Sequence, residues 1–307
     1  MKPLAALGFL LLTSVSAFAQ QPWSLASPDG HNTIAVARQS DGALVWRVTR
    51  DGQPILADSP LGIRRADQDF GAGLTFVGAT QPRTIDERYT LPFGKWRDHV
   101  VSGRERTLTF ANAGGARLDV VLRAHDDGVA FRYRFPETAA GNKTVVEERT
   151  GFHIPQGSTA WMLPHQEVHK YGPAYEDFFV EVHAGTAAPR ADGWSFPALF
   201  RTSGGRWLLI SESAVDEHYC GTHLAADAPG GVYRLKFPDP KEGLGVGAVE
   251  PVSSSSSSAT PPAASSNRTW STTSRRRRAS RRRTGSSRDA RPGAGGRRAT
   301  ARGTRKI

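Results

Sequence analysis

Residues 105–135 read ERTLTFANAGGARLDVVLRAHDDGVAFRYRF, and this stretch decides the fold class. Glu105 to Ala111, Arg117 to Ala124 and Val129 to Phe135 alternate apolar with polar side chains. They are separated by Asn112-Ala113-Gly114-Gly115 and by Asp126-Asp127-Gly128. A period of two bounded by turn residues is the signature of antiparallel strands. In the third strand Phe131, Tyr133 and Phe135 point one way and Ala130, Arg132 and Arg134 the other, so one face is core.

The same construction extends in both directions. Thr33 to Gln39 and Ala43 to Arg50 flank Ser40-Asp41-Gly42, and Asp51-Gly52 turns the chain toward Pro54-Ile55-Leu56. Glycine supplies the positive φ that a tight reversal needs. Further strands are predicted at Val145 to Thr150, Phe178 to His183, Trp207 to Glu212 and Gly231 to Lys236, with one short helix at Ala214 to Tyr219. No fixed-period repeat is present, which argues against a propeller. So many strands in one stretch predict an all-β domain, a large antiparallel β-sandwich of two packed sheets.

Composition divides the chain of 307 residues near residue 252. Of 40 Lys and Arg and 29 Asp and Glu, Ser253 to Ile307 holds 15 and one; the remaining 25 and 28 leave residues 1–252 with a net charge of −3. The overall excess of +11 therefore belongs to the tail, and nucleic acid is excluded as a partner of the folded part. Met1 to Ala19, with Lys2, the apolar run Leu4 to Leu12 and Ala17-Phe18-Ala19, reads as a signal peptide too short to span a membrane. Export to the periplasm or the extracellular space follows. Cys220 is the single cysteine, so no intrachain disulfide forms and a sizeable core must stabilise the domain. The division is then 1–19 signal peptide, 20–250 β-sandwich and 251–307 a disordered Ser/Arg-rich tail.

The tail opens on six consecutive serines. Serine codons of the TCN type become NTC codons when read two bases on, and NTC encodes only Phe, Leu, Ile or Val. With permitted codons, Ser253 to Ser274 re-reads as Val-Val-Val-Val-Ile-Gly-Asp-Thr-Ala-Gly-Arg-Leu-Val-Glu-Pro-Asp-Leu-Val-Tyr-Asp-Leu. The tail is thus compatible with a frameshift near residues 243–252.

Ser27-Pro28-Asp29-Gly30, Ser59-Pro60-Leu61-Gly62-Ile63, Asp126-Asp127-Gly128-Val129-Ala130-Phe131-Arg132-Tyr133 and Ile210-Ser211-Glu212-Ser213-Ala214 occur in this order. Together they resemble the N-terminal domain of glycoside hydrolase family 97. The resemblance implies a super-sandwich of the galactose-mutarotase-like type, joined in complete members to a (β/α)8 barrel and a small C-terminal β domain. It also implies a calcium-dependent exo-acting α-glucosidase or α-galactosidase whose catalytic carboxylates sit on the barrel. Glycoside cleavage needs a positioned pair of carboxyl groups. With no barrel strand in this sequence, no catalytic residue is assigned and no hydrolase activity is expected of it alone.

In that family the N-terminal domain lends one glutamate to the calcium site, and the matching residue is Glu176 in Pro173-Ala174-Tyr175-Glu176. Calcium takes six to eight oxygen ligands, so Glu176 is at most a fragment of a site. Trp161 and Tyr175 are the candidate substrate contacts, since aromatic faces suit the apolar surfaces of sugars. Trp194 and Trp207 share that chemistry but suit a core or a domain interface equally. His153, His165, His169 and His183 match no tight zinc spacing. Glu147 and Glu148 are neighbours on a strand and face opposite sides. The expected partner is an α-linked glucoside or galactoside. A stand-alone aldose-epimerase-like enzyme and a secreted binding protein with an arginine-rich, polyanion-binding arm are the alternatives.

Overall fold

The computed structural model describes residues 22–93, 97–138, 143–213, 215, 219–239, 241, 248–249 and 267–271. The proposed signal peptide lies outside them, as does the expected helix at Ala214 to Tyr219 apart from Val215 and Tyr219. The described residues are almost entirely strand. In chain order the strands are β1 Trp23–Ala26, β2 Asn32–Arg38, β3 Leu44–Arg50, β4 Gln53–Leu61, β5 Ile63–Arg65, β6 Thr75–Ala79 and β7 Arg83–Thr90. The long β8 Asp98–Ala111 leads to β9 Arg117–His125, β10 Gly128–Arg134, β11 Lys143–Glu148, β12 Gly151–His153 and β13 Thr159–Pro164. The remainder are β14 Val180–His183, β15 Trp194–Arg201, β16 Trp207–Ser213, β17 His223–Leu224, β18 Val232–Lys236, β19 Ala248–Val249 and β20 Asn267–Ser271.

Two antiparallel arrays build the sandwich. The first runs β1-β2-β3-β4-β12-β18-β17. The second runs β14-β13-β15-β16-β20-β10-β9-β8, and β6 and β7 share the far edge of β8. Trp194 of β15 pairs with Leu224 of β17 and joins the arrays. A small third sheet sets β11 between β5 and β19.

The turns follow from the sequence. Asp51 and Gly52 both adopt positive φ, at 52° and 73°, the conformation of a two-residue type I′ hairpin. Gly42 has φ 81°, and a Cβ there would come within 2.6 Å of the Leu74 amide nitrogen, so no other residue fits without moving backbone.

The apolar halves of the alternating strands meet between the arrays. Trp46 of β3 is fully buried, its ring 4.9 Å from Phe131 of β10 and 5.9 Å from Phe152 of β12. Its indole N–H donates to the Gly151 carbonyl at 3.2 Å, so the polar edge of the ring is matched inside the core. Buried polar groups are chained in the same way. The Gly62 amide donates to the Tyr133 hydroxyl, which bonds Thr150 Oγ1, and Glu148 accepts from Thr150 and from Tyr219. Glu147 is half-buried on a strand whose register shifts beside it while Glu148 is buried, so the two glutamates do face opposite ways.

Several strands lie outside those expected from the alternation, among them β1, β6, β7 and β17, and two of them, β13 and β15, bear on the candidate site. Pro164 ends the first and Pro197 lies within the second, and proline has no N–H for a ladder. The register between these strands shifts between Trp161 and Leu163, a bulge that accommodates the break. Phe178 and Phe179, expected to open a strand, remain exposed in the loop before β14. The tail departs from expectation at five residues. Asn267–Ser271 forms β20, with Trp270 in the row of Val129 and Ile210. The facing edges of β10 and β16 have backbone donors and acceptors to satisfy, which recruits a strand even from a polar sequence. The rest of the tail, including residues 275–307, lies outside the described residues.

Candidate functional site

The chain between β13 and β14, residues 165–179, borders a cavity of about 350 Å³ whose lining includes His165, Tyr175, Ser195, Glu212, Thr222 and His223. Sequence order scatters these residues over nearly 60 positions; the pairing of β13, β15 and β17 brings them together. His165 directly follows β13, Ser195 lies on β15, Glu212 on β16 and His223 on β17.

Two buried imidazoles form the floor. The rings of His165 and His223 are stacked, with centroids 4.0 Å apart and planes 5° from parallel. His165 Nδ1 lies 2.9 Å from Ser195 Oγ. Burial pushes the His223 imidazole down to about 3, and His165 and Lys236 act in the same direction. Burial lowers His165 as well, with Lys236 assisting and Asp192 opposing. Both rings are therefore neutral at pH 7, each with one donor and one acceptor nitrogen. The Nε2 atom of His223 is buried without a hydrogen-bond partner among the described residues. A buried polar atom left unmatched beside a cavity is an invitation to a ligand group or a water.

The walls are fixed by charge-assisted and aromatic contacts. Glu212 accepts from the Thr222 amide at 2.6 Å and from Thr222 Oγ1 at 2.9 Å, which ties the end of β16 to the approach to β17. Tyr175 meets His165 edge-on, with centroids 5.8 Å apart. Its φ of 57° is left-handed, a conformation that costs a non-glycine residue energy and collects at functional loops. The loop is held by the Gln166 side chain, which accepts from the Ala174 amide, and by an ion pair between Asp177 and Arg190. The loop leaves Tyr171, Tyr175, Phe178 and Phe179 exposed at 75, 57, 88 and 51%.

The structure separates the residues singled out from sequence. Tyr175 lines the cavity and Glu176 stands next to it, exposed. Trp161 lies outside the lining, on the outer face of β13, where its ring is 5.1 Å from Trp207 and its N–H donates to Glu181 at 3.1 Å. Trp194 is core. His223, Ser195 and Thr222 escaped the sequence reading, because no local motif links them to His165. No group of three or more His, Cys, Asp or Glu able to hold a metal occurs among the described residues. Glu176 fits calcium only as one ligand among others.

Comparison with known proteins gives this geometry its context. Residues 25–273 match the family described as Glycosyl-hydrolase 97 N-terminal. The chain belongs to this family. It is 34% identical over 235 residues to a "Probable retaining alpha-galactosidase" of Streptomyces bingchenggensis, covering 75% of this chain and 35% of that protein. It is 29% identical over 237 residues to a "Retaining alpha-galactosidase" of Bacteroides thetaiotaomicron, covering 74% of this chain and 34% of that protein. The chain thus spans about a third of the length of the curated relatives it matches. Among solved structures, a β-arabinopyranosidase superposes with a TM-score of 0.73 at 28% identity, over 82% of this chain and 40% of that one. A glycoside hydrolase family 97 enzyme of Pseudoalteromonas sp. strain K8 in complex with acarbose superposes with a TM-score of 0.65 at 21% identity, over 82% and 35%. That last likeness speaks for the sandwich fold alone. The all-β reading and the resemblance drawn from the SPDG, SPLGI, DDGVAFRY and ISESA landmarks are both borne out.

Proposed function

We propose that this family 97 domain is exported and serves a calcium-dependent α-glycosidase, with α-galactosides as the favoured substrates. Its contribution is structural and recognitional, and the bond cleavage belongs to carboxylates of a catalytic neighbour. The preference for galactosides over glucosides rests on the names of the two curated relatives, both retaining α-galactosidases. The observation that carries the reading is the 165–179 loop, which turns Tyr175 into the cavity while presenting Glu176 and Phe178 outward. In this reading Glu176 supplies one oxygen to a calcium ion completed by the neighbour. Tyr175 and the unmatched Nε2 of His223 orient substrate hydroxyls, and Trp161 offers a separate ring face on the outer side of β13, apart from the cavity.

A chimera tests it. Residues 20–252 replace the matching third of the Streptomyces relative, and hydrolysis of p-nitrophenyl α-galactopyranoside is followed with and without EDTA. Activity that falls on chelation, returns with calcium and is lost in Glu176→Ala supports the reading. A chimera that folds and is indifferent to both chelation and Glu176→Ala removes the calcium assignment.

A further inference from the structure

A second hollow, of about 420 Å³, lies on the outer face of β7, β8, β9 and β10, away from the His165 cavity. The register places Glu87, Tyr89, Arg123, His125 and Arg132 on one side of the sheet, and Asp127 closes the hollow from the turn between β9 and β10. Asp127, Ala130, Phe131 and Arg132 of its lining belong to the Asp126–Tyr133 landmark, and none of the contacts of the 165–179 loop reaches it.

Its construction is specific. Tyr89 lies flat on His99, with centroids 4.8 Å apart and planes 9° from parallel, and the residue as a whole remains 46% exposed. The stack holds one ring face still, which lowers the entropy lost when a ligand settles on the other. Arg123 reaches Glu105 at 2.8 Å and Glu87 at 3.0 Å, so its guanidinium is fixed in direction. His125 Nδ1 sits 3.0 Å from the Ser102 carbonyl. Its ring rests over Gly103, where a Cβ would approach Nδ1 to 2.5 Å. A glycine in mid-strand weakens a sheet, and here it opens the room that the imidazole occupies. Two carboxylates, Glu87 and Asp127, and two guanidiniums, Arg123 and Arg132, share the lining.

We propose that this hollow is a second saccharide site, taking a neutral pyranose that stacks on Tyr89 and shares its hydroxyls between Arg123, Asp127 and Glu87. A fixed aromatic plane beside paired donors and acceptors matches the apolar face and hydroxyl rim of such a ring. Balanced charge gives no advantage to an acidic polymer. The proposal concerns binding on the sandwich itself and stands whether or not the α-galactosidase reading holds.

The purified full chain is titrated with raffinose and with maltotriose, up to ~10 mM as suits a millimolar Kd, while its backbone amide resonances are followed. The expected result is saturable shifts at His99–Gly103 and Arg123–Asp127, whatever happens around His165. Tyr89→Ala, at an exposed position that leaves the core intact, weakens binding at least ~10-fold. Val77→Ala, at an exposed position of β6 outside both cavities, changes it less than twofold. Absence of saturable shifts with either sugar overturns the proposal. So does binding that survives Tyr89→Ala, or that appears only with a uronic-acid oligosaccharide.

Discussion

His165 and His223 stand face to face at 4.0 Å inside the domain, a contact that two protonated imidazoles would not sustain. His223 has a folded-state value near 3 against 6.5 for a free imidazole, and His165 is displaced in the same direction. Both values are depressed by burial, so the unfolded chain binds protons more readily than the folded one. The stability tied to these rings is complete above about pH 6.5 and is lost as pH falls toward 3.

Acidification from pH 7.5 to 4.5 should cost on the order of 2 to 3 kcal/mol through His223 alone. Urea titrations at several pH values measure it. His223→Phe, which keeps a ring but cannot take a proton, should flatten the pH slope whatever it does to stability at pH 7.5. An unchanged slope would remove His223 as its origin.

Trp46 is fully enclosed by Phe131 and Phe152 and gives its N–H to Gly151. Trp46→Ala should destabilise by about 3 to 5 kcal/mol, through lost contacts and the cavity left behind. Trp207→Ala, at a half-buried position on the outer face, should cost less than half as much. Denaturant midpoints of the two variants make the comparison.

Glu212 grips Thr222 through backbone and hydroxyl together. Thr222→Val keeps the amide bond and removes the hydroxyl, for an expected loss of about 1 to 2 kcal/mol. Glu212→Ala leaves the Thr222 amide without its carboxylate acceptor and should cost more. Amide exchange at Thr222 should speed up in the second variant and stay nearly unchanged in the first.

Glu176→Ala should leave the stability of the chain within about 0.5 kcal/mol, because an exposed carboxylate outside the core contributes little to folding. Its effect is expected in the calcium response of a complete enzyme. A large loss of thermal stability in the chain itself would assign Glu176 a structural role instead.

The strand Asn267–Ser271 separates two truncations. Ending the chain after Ser274 keeps the partner of β10 and β16 and should leave Tm within a degree or two. Ending it after Val252 exposes two strand edges and should lower Tm by roughly 5 °C or more, a loss of only a few kcal/mol at this size. DNA sequencing across codons 243–274 bears on the same region: a single-base error there would restore the apolar Val-Val-Val-Val-Ile reading, and a verified in-frame Ser/Arg tail would dismiss it.

The alternation in residues 105–135, the Asp51-Gly52 turn and the ordered landmarks were enough to fix an all-β sandwich and its family, because side-chain period and turn chemistry are local properties. Glu176 was legible for a different reason, through the family resemblance, and Tyr175 through the chemistry of its ring; no sequence signal joined them to His223. That join depends on β13, β15 and β17 lying side by side, with Pro164 and Pro197 hiding two of the strands from any periodic reading. Sheet pairing between distant segments also put Tyr89 and Arg123 on one face, in the lining of one hollow, and placed Trp161 apart from the cavity. Which residues face one another across a sheet is decided by long-range register, and register exists only once the chain has closed on itself.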